Sequence, residues 1–599
     1  MLPIASTGLA WSKTILWFDL SSSTWRRTRY DGLAARLLLG GRGLAAYILY
    51  RHLDPGQHPL SPGNILVVAR GPLTGLVAPG TSKVVVASRS PLTMGYGDGN
   101  IGGWAGYRMR CCGLDALVVT GRARRPSVLV VTRRGAWLEE REDLWGLSAT
   151  EAAERLRAEY GRTAGVLTIG PAGERLVRYA VVTGGLGRSG GRPGIGAVMG
   201  SKNLKAIVFA CTGCGQEVTE ASKLLYSAVR GSPLYKSWMR TGTLYVVEWA
   251  REASVLPVMN FREAWVEDVG ELSHRVLEKL RRGLHGCPTC NMQCGHRVET
   301  GAGVSELDYE GVAMLGSNLS IWRIEEVARL IRMADDYGVD VISFGSVAAF
   351  LTEARERGLV REPDLHWGWV RGYEELMRGV SEGWEGIYRV AARGVAYASK
   401  RIGGEEYAMH VKGLEVSGYD CHAAPGMALA YATSPVGAHH KDAWLIAWEV
   451  EADRTGYGAE KARKLVELQN IRGGFFESVC VCRFPWVELG VDIKLYLRML
   501  REAAGISMGL GDIDLLGDRV YSLIRLLWVR LLGGWSRSLD RPPARWFREP
   551  LTKGPLRGAR LDPERYEALL DEYYALRGWS REGIPEDSTL RRLGLTAIL

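Results

Sequence analysis

Apolar residues in the first third of the chain come in short β-branched and aliphatic runs broken by Gly, Pro, Ser or charge. They are T-I-L-W-F-D-L from Thr14, N-I-L-V-V-A-R from Asn64, K-V-V-V-A-S-R from Lys83, D-A-L-V-V-T from Asp115, S-V-L-V-V-T from Ser127 and A-I-V-F-A from Ala206. Runs of that length between turn formers predict strands, with few helical stretches among them. Past Val218 the spacing becomes helical, in S-H-R-V-L-E-K-L-R-R from Ser273, R-I-E-E-V-A-R-L-I-R-M-A-D-D-Y from Arg323 and K-A-R-K-L-V-E-L-Q-N-I-R from Lys461. This change predicts an α+β fold: a β-rich N-terminal domain over residues 1–210, then mainly helical domains over 211–410 and 411–599. The polar stretch C-T-G-C-G-Q-E marks the first boundary. R-I-G-G-E-E-Y, ahead of a new strand-like element, marks the second.

No apolar run approaches the roughly 20 residues that a bilayer requires. Even V-Y-S-L-I-R-L-L-W-V-R-L-L is cut by Arg525 and Arg530, and the opening residues lack the basic and apolar regions of a secretory signal. A cytoplasmic, reducing compartment is therefore expected, without membrane association. At 599 residues, 46% hydrophobic and 24% charged, the chain has ordinary globular composition. Its net charge of +10 is spread among interleaved acids and bases. That balance favours encounter with an acidic partner, and no RNP, zinc-finger or basic-helix signature points to nucleic acid.

Ten cysteines in a reducing compartment read as ligands or free thiols rather than disulfides. Cys111 with Cys112, and the pair Cys211 and Cys214, carry no obvious role; the C-T-G-C pair reads as two buried or loop thiols, with a redox-active pair or half a metal site as the alternative. The run C-P-T-C-N-M-Q-C sets Cys287, Cys290 and Cys294 at a spacing that converges on one soft metal centre, and F-E-S-V-C-V-C-R-F offers Cys480 or Cys482 as the fourth ligand. A [4Fe–4S] cluster, a four-cysteine zinc site and inert thiols all remain open on spacing alone.

Two glycine-dense stretches, Ser90–Gly106 and Gly184–Ile207, stand out in the strand-rich part. Glycines let backbone N–H groups close around an anion, and Arg192 adds positive potential, so phosphate is the natural guest. Turns and close packing explain such runs equally well. Neither stretch has a Walker motif or a dinucleotide fingerprint.

In combination with G-G-R-G-L-A-A-Y from Gly40, G-P-L-T-G from Gly71, N-x-G-G-W from Asn100, G-A-V-M-G-S-K-N-L-K-A-I from Gly196, Y-E at Tyr309, D-x-x-G-x-D from Asp335, and A-Y-A-T-S with G-A-H-H ending at His440, the chain resembles the tungsten-containing aldehyde ferredoxin oxidoreductase family. The resemblance covers essentially the whole length. It implies a β-rich base domain, two helical domains, and a tungsten or molybdenum bis-pterin at their junction beside one [4Fe–4S] cluster. It implies Cys287, Cys290, Cys294 and Cys482 as cluster ligands. Cofactor contacts are implied for Lys83, Asn100, Gly102, Gly103, Arg192, Gly194, Gly196, Asp335, Gly338, Asp340 and Glu477, with Mg²⁺ bridging the pterin phosphates.

The chain departs from the family pattern at several positions. Glu477 and Cys480 stand where the second pterin motif usually has Asp and Gly, and Lys83 stands where the family commonly has a bridging Arg. The resemblance implies Glu310 as proton acceptor, His440 as a hydrogen-bonding group whose titration near neutrality suits a proton shuttle, and Tyr419 as a donor to the substrate oxygen. The implied reaction is oxidation of an aldehyde to a carboxylic acid, with electrons passing through the cluster to an acidic ferredoxin. Alternatives are the same cofactors acting on formaldehyde, a phosphorylated aldehyde or a carboxylic acid, or with another acceptor; or a non-catalytic zinc-stapled scaffold or nucleic-acid binder. Where some family members have an E-x-x-H iron-binding pair, this chain has R-L-I-R from Arg329 to Arg332, so a monomer or a homodimer without bridging iron is expected.

Overall fold

A computed structural model describes residues 11–214, 217–301 and 303–599. The apolar runs of the N-terminal part form two six-stranded mixed sheets. The first holds β1 (Thr14–Asp19), β2 (Thr24–Arg29), β3 (Leu66–Ala69), β4 (Val84–Arg89), β5 (Tyr96–Ile101) and β6 (Ala116–Thr120), in the order β2-β1-β6-β3-β4-β5. The second holds β7 (Ser127–Val131), β8 (Ala136–Glu140), β9 (Gly165–Thr168), β10 (Val182–Thr183), β11 (Ser189–Gly190) and β12 (Leu204–Phe209), in the order β11-β10-β9-β12-β7-β8. Strands β3, β4 and β12 are buried along their whole length, which is why they read as continuous apolar runs rather than alternating ones.

Helices are less scarce here than the pattern predicts. Gly41–His52, Trp104–Cys111, Ala149–Tyr160 and Ile195–Ser201 cover the sheet faces. Their glycine and alanine content, with almost complete burial in Gly41–His52, masks the amphipathic period.

The rest of the chain is mainly helical. Ile324–Tyr337, with Asp308-capped Tyr309–Leu315 and Asp340-capped Val341–Glu356, forms the wall that faces the sheets. The segment expected to be helical through Arg282 stops at Leu280. Arg281–His285 instead starts an antiparallel three-stranded sheet with Gly295–Thr300 and Gly303–Leu307. The cysteine run lies between its first two strands. One apolar core extends from Ile15 and Leu49 through Phe344 and Trp528 to Ile598, so the helical parts share a core with one face of the first sheet.

Edge strands β5 and β11 meet where the two glycine-dense stretches touch. A Cβ on Gly99 would lie 2.0 Å from the Gly191 amide nitrogen, and one on Gly190 would lie 2.6 Å from the Asn100 carbonyl oxygen. Here glycine permits backbone to approach backbone.

One expectation is overturned. Cys111 pairs with Cys214 and Cys112 with Cys211 as disulfides, Cα–Cα 5.1 and 5.3 Å. Packing of the helix Trp104–Cys111 against β9 and β12 delivers its last residues to the exit of β12, a meeting of positions 103 and 99 residues apart that composition does not reveal. Disulfides also persist inside cells in hyperthermophilic proteins, so the argument from a reducing compartment fails for these four. Alkylation of the denatured protein is expected to label six thiols before reduction and ten after. Replacing Cys111 and Cys214 by Ser, which removes one of the two disulfides, is expected to cost about 2–4 kcal/mol in denaturant unfolding.

Candidate active site

The D-x-x-G-x-D segment binds, through its backbone, the residues just ahead of the second glycine stretch. Val181 N donates to Gly338 O (2.9 Å), and Asp340 N donates to Tyr179 O (3.1 Å). Gly338 sits at φ +72° with Gly170 against it, where a side chain would collide. Asp340 then accepts from Ser343 N (2.8 Å) as the cap of its helix and from Arg192 Nε (2.9 Å). Capping of its helix and an ion pair with Arg192 thus coexist in one residue.

At the other end, N-terminal glycines cradle the second motif. A Cβ on Gly41 would lie 2.1 Å from Glu477 O, one on Gly71 2.2 Å from Val479 O, and one on Gly80 2.9 Å from Cys482 Cβ. Arg42 joins the two halves by ion pairs to Asp98 (2.6 Å) and Asp442 (2.6 Å). Lys441 pairs with Asp98 (3.1 Å) and Glu477 (3.3 Å), and Asn100 Nδ2 donates to Glu477 Oε1 (3.1 Å). Burial works against the Glu477 carboxylate, but Lys441 and Arg42 hold its pKa down, so it is ionised.

Between these ends lies a cavity of about 330 Å³. Its lining includes Lys83, Asn100, Arg192, Asp340, Glu310, Tyr419 and His440. The structure does not bring every expected residue to it. Gly194 and Gly196 press on the carbonyls of Arg178 and Val181, Gly102 lies against Cys287 Sγ, and Gly103 (φ +99°) starts the helix Trp104–Cys111. Asp335 lies in the last turn of its helix, where burial and then Glu306, Asp308 and Asp336 push its carboxyl up to about 8.

Burial pushes the Glu310 carboxyl up to about 8, aided by Asp308 and Asp340 and opposed by the Gly418 N–H at 2.9 Å. Its Oε1 lies 3.0 Å from His440 Nδ1, close but not aligned as a hydrogen bond. The expected titration of His440 near neutrality is corrected by its surroundings. Burial, then Arg483, Arg472, Arg192 and Lys441, hold its pKa well below the usual range, so the ring is a neutral hydrogen-bonding group. Tyr419 stacks on Tyr309 at 4.9 Å and meets His440 and Trp444 edge-on. Burial keeps its hydroxyl protonated.

Six cavity-lining side chains carry a buried polar atom without a protein partner: Asn100 Oδ1, Arg192 Nη1, Glu310 Oε1, His440 Nδ1, Trp444 Nε1 and Arg483 Nε. A wall of unsatisfied donors and acceptors beside Lys83 and Lys441 fits a polar, phosphate-bearing heterocycle. Asn100 Oδ1 is the kind of oxygen that a phosphate-held Mg²⁺ accepts.

Behind Lys83 lie the cysteines. Cys482 N donates to Gly80 O (2.8 Å), and Cys482 faces Cys290 and Cys294 electrostatically across the gap between the two segments. Cys480 points elsewhere, its Sγ on Lys83 O at 3.3 Å and its backbone left-handed at φ +57° where the family usually has Gly. Burial, then Cys482 and Cys287, pushes the Cys290 thiol up to about 12. Among the described residues no three Cys, His, Asp or Glu side chains converge on one ion.

Residues missed from sequence are neighbours of ones identified there. Arg42 lies in G-G-R-G, Asp98 two positions before Asn100, Lys441 after His440, and Tyr309 before Glu310. Arg188, ion-paired with Glu306 and facing Cys287 and Cys294, carried no motif.

The aldehyde ferredoxin oxidoreductase N-terminal domain model matches residues 15–211, and the model for domains 2 and 3 of that enzyme matches 220–595. The chain belongs to the aldehyde ferredoxin oxidoreductase family. It is 32% identical, over 98% of its length and 99% of the relative's, to the tungsten-containing aldehyde ferredoxin oxidoreductase of Pyrococcus abyssi. Identity is 27%, over 98% and 97%, to the WOR-like subunit of the aliphatic sulfonate oxidoreductase of Pyrococcus furiosus. The active-site complex BamBC of benzoyl coenzyme A reductase, solved with 1,5-dienoyl-CoA, shares the fold: TM-score 0.84 at 23% identity over 98% of both chains. This family member is an oxidoreductase, which leaves the scaffold and nucleic-acid alternatives without support. Among the described residues no helix is long and apolar enough to cross a membrane.

Glu310→Gln is expected to lower turnover by about 10²-fold or more while leaving bound metal unchanged. A base must first lose its proton, so wild-type turnover is expected to climb with pH toward about 8, a limb that the variant lacks. Steady-state rates across pH, with metal analysis of both proteins, check this.

Proposed function

We propose that this protein oxidises aldehydes to carboxylic acids, passing electrons through a [4Fe–4S] cluster on Cys287, Cys290, Cys294 and Cys482 to ferredoxin. The observation that carries this reading is the cavity itself: Glu310, His440 and Tyr419 stand together on one wall, partnerless polar groups on Asn100 and Arg192 stand on another, and four facing thiols lie behind. Asn100, Arg192, Asp340, Lys83 and Glu477 would hold a bis-pterin tungsten or molybdenum centre with its Mg²⁺. When bound, that centre supplies a two-electron acceptor. The chain supplies the rest. The Tyr419 hydroxyl and the neutral His440 ring orient the carbonyl oxygen, and Glu310, once ionised, takes the proton from water as it adds to the carbonyl carbon. Tyr309 and Trp444 exclude bulk water.

A second reading, an anionic aldehyde or a carboxylate reduced in reverse, is favoured by Arg472 and Arg483 in the cavity lining. Among the described residues Arg472 bonds only to the Lys441 and His440 carbonyls, and burial with Arg483 lowers its pKa to about 9. In place of the E-x-x-H pair, Arg329 and Arg332 pair with Glu374 (2.9 Å) and Asp336 (2.8 Å), consistent with an assembly that uses no bridging iron.

Anaerobically purified protein is expected to be brown, with about four irons per chain and tungsten or molybdenum, and to reduce a dye with aldehydes. Zinc in place of iron would sink the proposal. A panel of neutral against carboxylate- or phosphate-bearing aldehydes decides between the two readings.

A further inference from the structure

A second concavity, about 780 Å³, opens beside the cysteine run, with Gly286 and Pro288, the neighbours of Cys287, in its lining. Its charge is lopsided. Arg157, Arg162, Arg188, Arg282, Arg297 and Arg332 line it, against Glu154 as the sole lining carboxylate. Some of this charge is answered from outside the groove: Arg188 by Glu306, Arg332 by Asp336, and Arg282 by Glu299 at 3.5 Å, where both side chains are largely exposed. Arg157 donates to the Gly184 carbonyl and, like Arg297, keeps a buried Nε without a partner. Arg157, Arg162 and Arg297 make no ion pair among the described residues. Arg162 and Arg282 stand exposed at the rim.

We propose that this groove is the docking surface for the electron acceptor, a small acidic one-electron protein of the ferredoxin type. The inference rests on the function proposed above and adds where the acceptor sits and what holds it. A cationic rim steers an anionic partner and sets its register, and unanswered guanidiniums gain most from carboxylates brought to them. A docked partner lies over Cys287, whose loop forms part of the floor, so arrival and electron exit coincide. Oxidation of one aldehyde with one water to a carboxylic acid releases two electrons and two protons; two oxidised ferredoxins each take one electron, and the protons pass to solvent.

The test uses the loaded full-length enzyme and the double variant Arg162→Glu/Arg282→Glu, with both changes on the exposed rim. Acceptors are an acidic [4Fe–4S] ferredoxin and a small uncharged quinone dye. KM for ferredoxin is expected to rise at least tenfold and to lose its increase with ionic strength, while aldehyde oxidation with the dye stays unchanged. An unaltered ferredoxin KM overturns the proposal. So does an equal loss with both acceptors, which would assign the arginines to the fold. If the wild type oxidises no aldehyde even with dye, the proposed function fails instead. Titration calorimetry of ferredoxin onto both proteins then decides the groove separately: equal affinity, or displacement by single-stranded RNA alone, rejects it.

Discussion

Arg42 is held in a fully buried site by carboxylates from distant parts of the chain, Asp98 on β5 and Asp442, which lies 400 positions beyond the arginine itself. Burial opposes its charge, yet Asp442, Asp98 and Glu477 outweigh that cost and keep it protonated. Asp98 is likewise held ionised, against burial, by Arg42 and Lys441. Removing one partner from such a set strands a charge in a low dielectric, at about 3–5 kcal/mol. The network fixes how the C-terminal half seats on the first sheet. That seating holds Lys441 against Asp98 and Glu477 against Asn100, and sets His440 opposite Glu310.

Glycines make the seating possible by letting backbones touch. Gly41 and Gly71 lie against the carbonyls of Glu477 and Val479, and Gly474 lies against Gly517 Cα. Any Cβ at these points would push the second motif off the sheet and break the charge network with it. Next to Gly473, whose carbonyl accepts from Arg42 Nη1, the helix Ala459–Gln469 passes into a π-helical stretch, Asn470–Phe476. The wider turn brings Arg472 into the cavity wall, a common use of π geometry beside functional sites.

The cavity joins two electrostatic regimes. At one wall burial leaves Glu310 and His440 uncharged near neutral pH. Across from them Glu477 and Asp98 remain ionised because lysine and arginine face them. The same low dielectric produces both outcomes, and the presence of a countercharge decides which.

Much of this was legible in the residues themselves. All six apolar runs became strands, Arg323–Tyr337 became helical from Ile324, and Cys287 to Cys294 stood out by spacing, because alternation, helical period and short motifs depend on neighbours a few positions apart; the acids of D-x-x-G-x-D stood out only through the family resemblance. Glycine's small size was visible too, but whether it served a phosphate or a packed backbone was not. The sheet around the cysteine run was hidden because Ser273–Arg282 carries a helical pattern that tertiary pairing with Gly295–Thr300 overrides after Leu280. The disulfides at separations of 103 and 99 and the neutral state of His440 were decided only by tertiary structure. Each depends on which distant backbones touch and on how much water their contact expels, and no local period encodes either.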